Sequence, residues 1–272
     1  MAPVRLNIGE AVGEAVRFWS RSWRNAAGAL GLAALALIVY SVTTTPLLKG
    51  AAYGIYVVAT LMAQGALFRV AFADRLGPPP APKAAPLAGL QWGPMEGRLA
   101  VTLILMAILF AIVVAVGIIL LAAVIVGFAS RGGKADFGSP EAIVQAMGPG
   151  GSFAMTMMLI IAAFLFVWMT IRLSMALPAT AAEGKVRLIS TWDLTKGNAL
   201  RIFVAYLVIS APVLLVTVVA AIIAEGRPDP ASSRIWLNAA GSAVAVVFYL
   251  PITVGLVSFI YRRLAPNPGA AA

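Results

Sequence analysis

Six apolar stretches set the outer limits of what this chain can fold into: 26–45, 51–72, 99–128, 153–177, 199–224 and 236–261. About 20 apolar residues in a helix cross the roughly 30 Å hydrocarbon core of a bilayer. A helix also satisfies its own backbone there, where no water can. Little else is left to build a soluble surface: 61% of the 272 residues are hydrophobic and 11% charged, against about 45–50% and 25% in soluble domains. The expected fold is all-α: a polytopic membrane protein, one transmembrane domain over 1–272. The third stretch is longer than a span needs, so it tilts or extends past the bilayer.

The spans group in pairs. Ahead of each pair stands a Trp, four residues, then a Gly: Trp23 to Gly28, Trp92 to Gly97 and Trp192 to Gly197. Each second span closes on arginine, at Arg69, Arg172, and Arg262 with Arg263. A recurring order of this kind marks one supersecondary unit used several times. The units are 4–76, 87–182 and 183–264, which makes six transmembrane helices as three hairpin repeats, each preceded by an amphipathic or interfacial segment. The odd number departs from the paired halves common in secondary transporters.

The first such segment, 4–24, carries apolar residues at Ile8, Val12, Ala15, Val16, Trp19 and Trp23, a helical stripe. Asn7 and Glu10 are spaced as a capping box. The expectation is an interfacial amphipathic helix with its Trp rings at headgroup depth, or a helix packed on the protein's own cytoplasmic face. In the third segment Ser190 and Asp193 have capping-box spacing. No cleaved signal peptide is expected: the polar lead is long, and SVTTTP lacks small cleavage-site residues.

Charge gives the orientation. Fifteen basic residues fall on the side of the N-terminus, the 73–98 and 182–198 loops, the C-terminus and the flanking span ends; five (Lys49, Arg131, Lys134, Arg227, Arg234) fall on the other. By the positive-inside rule both termini are cytoplasmic. The 77–89 loop, GPPPAPKAAPLAG, reads as an extended proline-rich linker, with a PxxP from Pro79 to Pro82 that could serve as a docking peptide. The outer loop 129–152 is glycine-rich, with a short helix capped by Ser139 and opened by Pro140 and Glu141.

The stretch 172–208, RLSMALPATAAEGKVRLISTWDLTKGNALRIFVAYLV, resembles a recurring segment of six-span bacterial inner-membrane proteins. These include the membrane domain fused to some glycerophosphoryl diester phosphodiesterases. The resemblance rests on Arg172, Pro178, Ala179, Glu183, Gly184, Trp192 and Gly197. It implies a bacterial inner-membrane location and the six-span layout. The catalytic barrel of fused members has no counterpart here, so their hydrolysis is not carried over.

Much chemistry is excluded. Cysteine and histidine are absent, which removes thiolate sites, the commonest metal ligand and the commonest general base. No cofactor or metal is expected, and no nucleic-acid partner, because the basic residues form no dense run. GGK at 132–134 fails as a phosphate loop, since Phe128 and Ala135 stand where Gly and Ser or Thr belong. The candidate binding residues are Arg69, Arg172, Arg262, Arg263, Trp23, Trp92 and Trp192. Arg69 and Arg172 lie close enough to span ends to reach headgroups, and to pair with Glu14, Glu96, Glu183 or Asp193. Gln64 is a helix–helix hydrogen-bond candidate, Gly50 and Gly54 form a GxxxG, and Pro212 and Pro251 sit inside spans. The expected function is non-enzymatic: binding of anionic lipid headgroups, a membrane-protein partner or a second copy. The alternative is a transporter, channel or lipid mover for an amphiphile, without an intramembrane carboxylate for ion coupling.

Overall fold

A computed structural model describes residues 5–76, 88–129, 140–225 and 230–265. Its elements are α1 (Ile8–Val42), α2 (Pro46–Ala71), α3 (Ala73–Leu76), α4 (Pro94–Ala129), α5 (Pro140–Leu173), α6 (Ala176–Glu183), a 3-10 helix (Ile189–Thr195), α7 (Ala199–Glu225) and α8 (Pro230–Leu264). Among the described residues there is no strand, and six helical stretches are long and apolar enough to cross a membrane. The chain is an all-α multi-pass membrane protein, its spans following one another as α1–α2, α4–α5 and α7–α8.

The chain packs as two compact units. The first is Met1–Thr102 with Ser174–Ala272; the second is Leu103–Leu173. In the first, α1 runs along α2 and α8, and α7 packs on α8. The seam on α1 is mostly small: Ala11, Ala15, Ser22, Ala26, Ala29, Ala33 and Ala36 are all buried, with Leu30 the one large side chain among them. Small side chains let helix backbones approach closely, which drives association where lipid is as apolar as the protein. Gly255 of α8 shows the same device. A Cβ there would lie 2.8 Å from Cδ1 of Phe18.

For 4–24 the expected helix is present, and its packing fits the second of the two readings, a helix on the protein's own surface. No separate interfacial helix precedes the first span; α1 is continuous from Ile8 to Val42. Its first half lies against the second half of α8, with Glu10 paired to Arg263, Phe18 on Gly255, and Trp19 5.4 Å from Phe248. The buried stripe is the small-residue one, while Val16 and Trp23 stay exposed. The junction near Gly28 is marked differently. The carbonyl of Ala88 accepts from the Gly28 amide (2.9 Å) and the Ala29 amide (3.4 Å). Gly89, at φ +93, sits where a Cβ would meet Ala26 Cα at 2.8 Å.

The three Trp–Gly segments also differ in conformation. Trp23 is inside α1, Trp92 precedes α4 in an irregular stretch, and Trp192 lies in the 3-10 helix. That helix starts after Leu188 with no side-chain cap, so Ser190 and Asp193 do not act as a capping box. Asn7 does cap α1, its Oδ1 accepting from the Glu10 amide at 3.3 Å.

In the second unit, Phe110 of α4 meets Phe166 of α5 at 5.0 Å. α5 opens at Pro140, as expected, but continues through 152 into the span, interrupted only by Gly148 at φ 61, ψ −174 before Pro149. The proline-rich stretch through residue 87, and Ser139, lie outside the described residues. Gly50 and Gly54 make no close helix contact: nothing lies within 4 Å of a Cβ at either. α7 and α8 run on through Pro212 and Pro251.

Candidate functional site

Charged side chains of the first unit gather at the end where α2 and α8 terminate, and the most buried of them is Glu96. α4 begins Gly93-Pro94-Met95-Glu96. Pro suits the first helical position, and a Glu three residues past the cap reaches back to the cap amide. Glu96 Oε2 accepts from the Gly93 amide at 2.9 Å, and Oε1 pairs with Arg69 Nη1 at 2.6 Å. The Glu96 side chain is 0% exposed and that of Arg69 27%. With its amide oxygen turned toward the guanidinium, Gln91 accepts from Arg69 Nη2 at 2.7 Å and Nε at 3.2 Å. Gly65 makes the approach possible, since a Cβ there would collide with the Glu96 carboxylate. Buried charge is tolerated only with such pairing. The result is a clamp between the end of α2 and the start of α4.

The end of α8 makes a second cluster. Arg262 donates to the Ala71 carbonyl and to Asp74, and its guanidinium lies 5.6 Å from the Phe72 ring centroid. Tyr261 is buried against Phe72 at 5.8 Å, and its hydroxyl donates to Glu183 Oε1 at 2.9 Å. The other oxygen of Glu183 pairs with Arg187 at 2.7 Å. Arg263 pairs with Glu10 and lies 5.5 Å from the Phe259 ring centroid. The N-terminal strap closes the end: the Leu6 amide donates to Asn198 Oδ1 at 3.0 Å, and Arg201 Nη1 donates to the Leu6 carbonyl at 2.8 Å.

Of the residues expected from sequence to bind, Arg69, Arg262 and Arg263 lie at this end, with Trp92 next to Gln91 and 52% exposed; Trp23, 40% exposed, lies further along α1, thirteen residues past Glu10. Trp23 carries the Arg24 guanidinium at 5.9 Å, and Trp192 is half-exposed on the 3-10 helix. Arg172 belongs to the second unit, in the last turn of α5, 5.4 Å from the Trp168 ring centroid. Of the four acids named as arginine partners, Glu96 takes Arg69, while Glu14 pairs with Arg17 at 2.8 Å and Glu183 with Arg187. Sequence reasoning missed Gln91, Gly65, Tyr261 and Asn198. Only the Gly-Pro-x-Glu start of α4 carried a signal.

Chemically, this end offers guanidinium groups whose carboxylate partners are shared with solvent. The side chains of Arg262 and Arg263 are 39% and 53% exposed. Such groups bind phosphate or carboxylate bidentately. Among the described residues no three acidic side chains converge as a metal cage. No protein-family model, curated protein or solved structure matches the chain.

Proposed function

We propose that the chain is a non-enzymatic protein of a bacterial inner membrane, with both termini in the cytoplasm. It binds the phosphate groups of anionic lipids through the basic end of its first unit. The observation that carries this reading is the charge balance. Of the fifteen basic residues assigned to that side, fourteen belong to the first unit and face six acids, Glu10, Glu14, Asp74, Glu96, Glu183 and Asp193, an excess of +8. Internal pairing cannot neutralise that excess. Each basic side chain near an anionic surface adds about 1 kcal/mol of attraction, and exposed Trp92, beside the Arg69 clamp, anchors the same end at headgroup depth. The resemblance of 172–208 to the membrane domain of the phosphodiesterase family supports the bacterial inner membrane as its place.

The test is native mass spectrometry of the full chain released from phosphatidylcholine nanodiscs doped with phosphatidylglycerol. Preferential retention of phosphatidylglycerol, lost several-fold in Arg262→Ala/Arg263→Ala, is the expected result. Equal retention of both lipids would refute the reading. A stoichiometric protein carried through purification in place of lipid would shift the same surface to a protein partner.

A further inference from the structure

Away from the basic end, α1, α2 and α8 enclose an open cleft of about 420 Å³. Leu37 lines it from α1, Tyr56 and Thr60 from α2, and Ser242, Tyr249 and Thr253 from α8. The spacings are helical: four residues separate Tyr56 from Thr60, and seven and then four separate the three on α8, so each helix turns one face to the cleft. Thr60 stands nine residues from Arg69, and Thr253 nine from Arg262, about 14 Å along each axis. The surrounding sequence is that of the apolar spans.

Two hydroxyls in this cleft are left over. Oγ1 of Thr60 and Oγ1 of Thr253 are buried and have no hydrogen-bond partner. Most hydroxyls on the helices elsewhere are satisfied, Ser258 of α8 being an exception outside the cleft. Ser22, Ser41, Thr102, Thr156, Thr170 and Thr217 each donate to the carbonyl four residues back, at 2.7–2.9 Å. Back-bonding of this kind is the ordinary solution for a hydroxyl in an apolar helix. Thr60 and Thr253 forgo it on two facing helices at one cavity. An unsatisfied buried hydroxyl carries a desolvation penalty that an incoming partner removes. Tyr249, beside them, is held by Ser210 at 2.8 Å, which fixes its ring as a wall.

We infer that this cleft is a binding site for an uncharged amphiphile, an alkyl chain bearing a hydroxyl or ester head, with Thr60 and Thr253 as its polar contacts. The volume falls in the range of small-molecule sites, about 300–1,000 Å³. It far exceeds the roughly 30 Å³ share of one water. No charged residue lines it, so a charged head would enter without a counter-charge. Alanine and valine at Ala245 and Val246 fill out the apolar wall. The site is separate in place and chemistry from the arginine end, which takes phosphate.

The experiment uses the purified full chain in phosphatidylcholine nanodiscs with a diazirine-bearing monoacylglycerol. A diazirine fatty acid of the same chain length, charged at neutral pH, runs in parallel. The expected result is monoacylglycerol label on peptides containing Tyr56–Thr60 and Ser242–Thr253, competed by unlabelled monoolein. Thr60→Val with Thr253→Val keeps the shape and removes both hydroxyls. Label should fall roughly tenfold, the loss of one or two ordinary hydrogen bonds, with the melting temperature unchanged or raised. Ala245→Leu, which narrows the cleft and keeps both hydroxyls, should give a comparable loss. Label that ignores all three substitutions, equal label from the fatty acid, or no competed label at all (a cleft that holds only water) would each overturn the assignment.

Discussion

α2 and α4 stand at opposite ends of the chain's hydropathy range. The most apolar stretch of α2 has mean hydropathy 1.5 and is 44% buried; that of α4 has 3.3 and is 0% buried. Equal hydropathy does not equalise burial either. α8 and the 148–183 stretch both stand at 2.3, yet they are 39% and 6% buried. The first unit therefore buries helices that are only moderately apolar, and the second leaves the most apolar helix bare. In water the order would be reversed. Lipid removes the hydrophobic difference between helix–helix and helix–lipid contact, so close packing of small residues and polar clamps decide which helices associate. α1 has its alanine seam and α2 has Gly65 under Glu96. The buried residues of α4 are Glu96, Leu99 and Thr102, all within its first nine residues.

The sharpest way to break this comparison is to remove the clamp. Arg69→Ala leaves Glu96 in a fully buried position with the Gly93 amide but without its counter-charge. Breaking a buried pair from one side costs about 3–5 kcal/mol. Unfolding of the variant by sodium dodecyl sulfate in mixed micelles should show a loss near the lower figure, because Arg69 itself is partly exposed. Arg69→Met with Glu96→Leu should recover much of it, since both charges leave together. A loss below about 1 kcal/mol for Arg69→Ala would mean that the pair does not hold α2 to α4.

The next test sets one unit against the other. Ala33→Leu puts three more carbons into the seam of α1, where Ala33 is 0% exposed, and overpacking of this kind costs about 1–3 kcal/mol. Ile118→Ala on α4 removes as many carbons from a side chain that is 61% exposed; a change within about 0.5 kcal/mol is expected there. The same micelle titration reads both. If Ile118→Ala were as costly as Ala33→Leu, α4 would be covered in solution by something more specific than lipid, and the contrast between the units would fail.

The same contrast explains what could be read from the sequence. The six spans were legible because length and hydropathy are all that a bilayer demands of a span. Pro140 at the start of α5 and Asn7 at the cap of α1 were legible because caps are local. Glu96 stood among the acids named for arginine pairing because few acids lie near span ends. Packing was not legible in this way. The apolar stripe on 4–24 drew attention to Val16 and Trp23, which are exposed, and away from Ala11 and Ser22, which are buried; of its residues only Ala15 is buried. Gly50 and Gly54 carried a small-residue motif without a neighbour, whereas Gly255 and Gly65, which have neighbours, stood in no motif. One Trp–Gly spacing took three backbone conformations because each copy meets a different neighbour. The threonines of the cleft look in sequence like the six that back-bond, and only the facing helix separates them.

The smallest expected effect on stability carries the most information about the basic end. Glu10 and Arg263 pair there with side chains 39% and 53% exposed. A pair of that exposure contributes at most about 0.5 kcal/mol, and salt screens it. Glu10→Gln should therefore leave the micelle titration unchanged. It should still act on lipid, because the carboxylate competes with phosphate for the Arg263 guanidinium. Removing it adds one unit of positive charge to an end that already has an excess, and retention of phosphatidylglycerol in the native mass spectrum should rise about twofold or more. Arg263→Gln should lower it by a similar factor, again at little cost in stability. Opposite signs from the two partners of one weak ion pair would separate a lipid contact from a structural one, which would give the same sign for both.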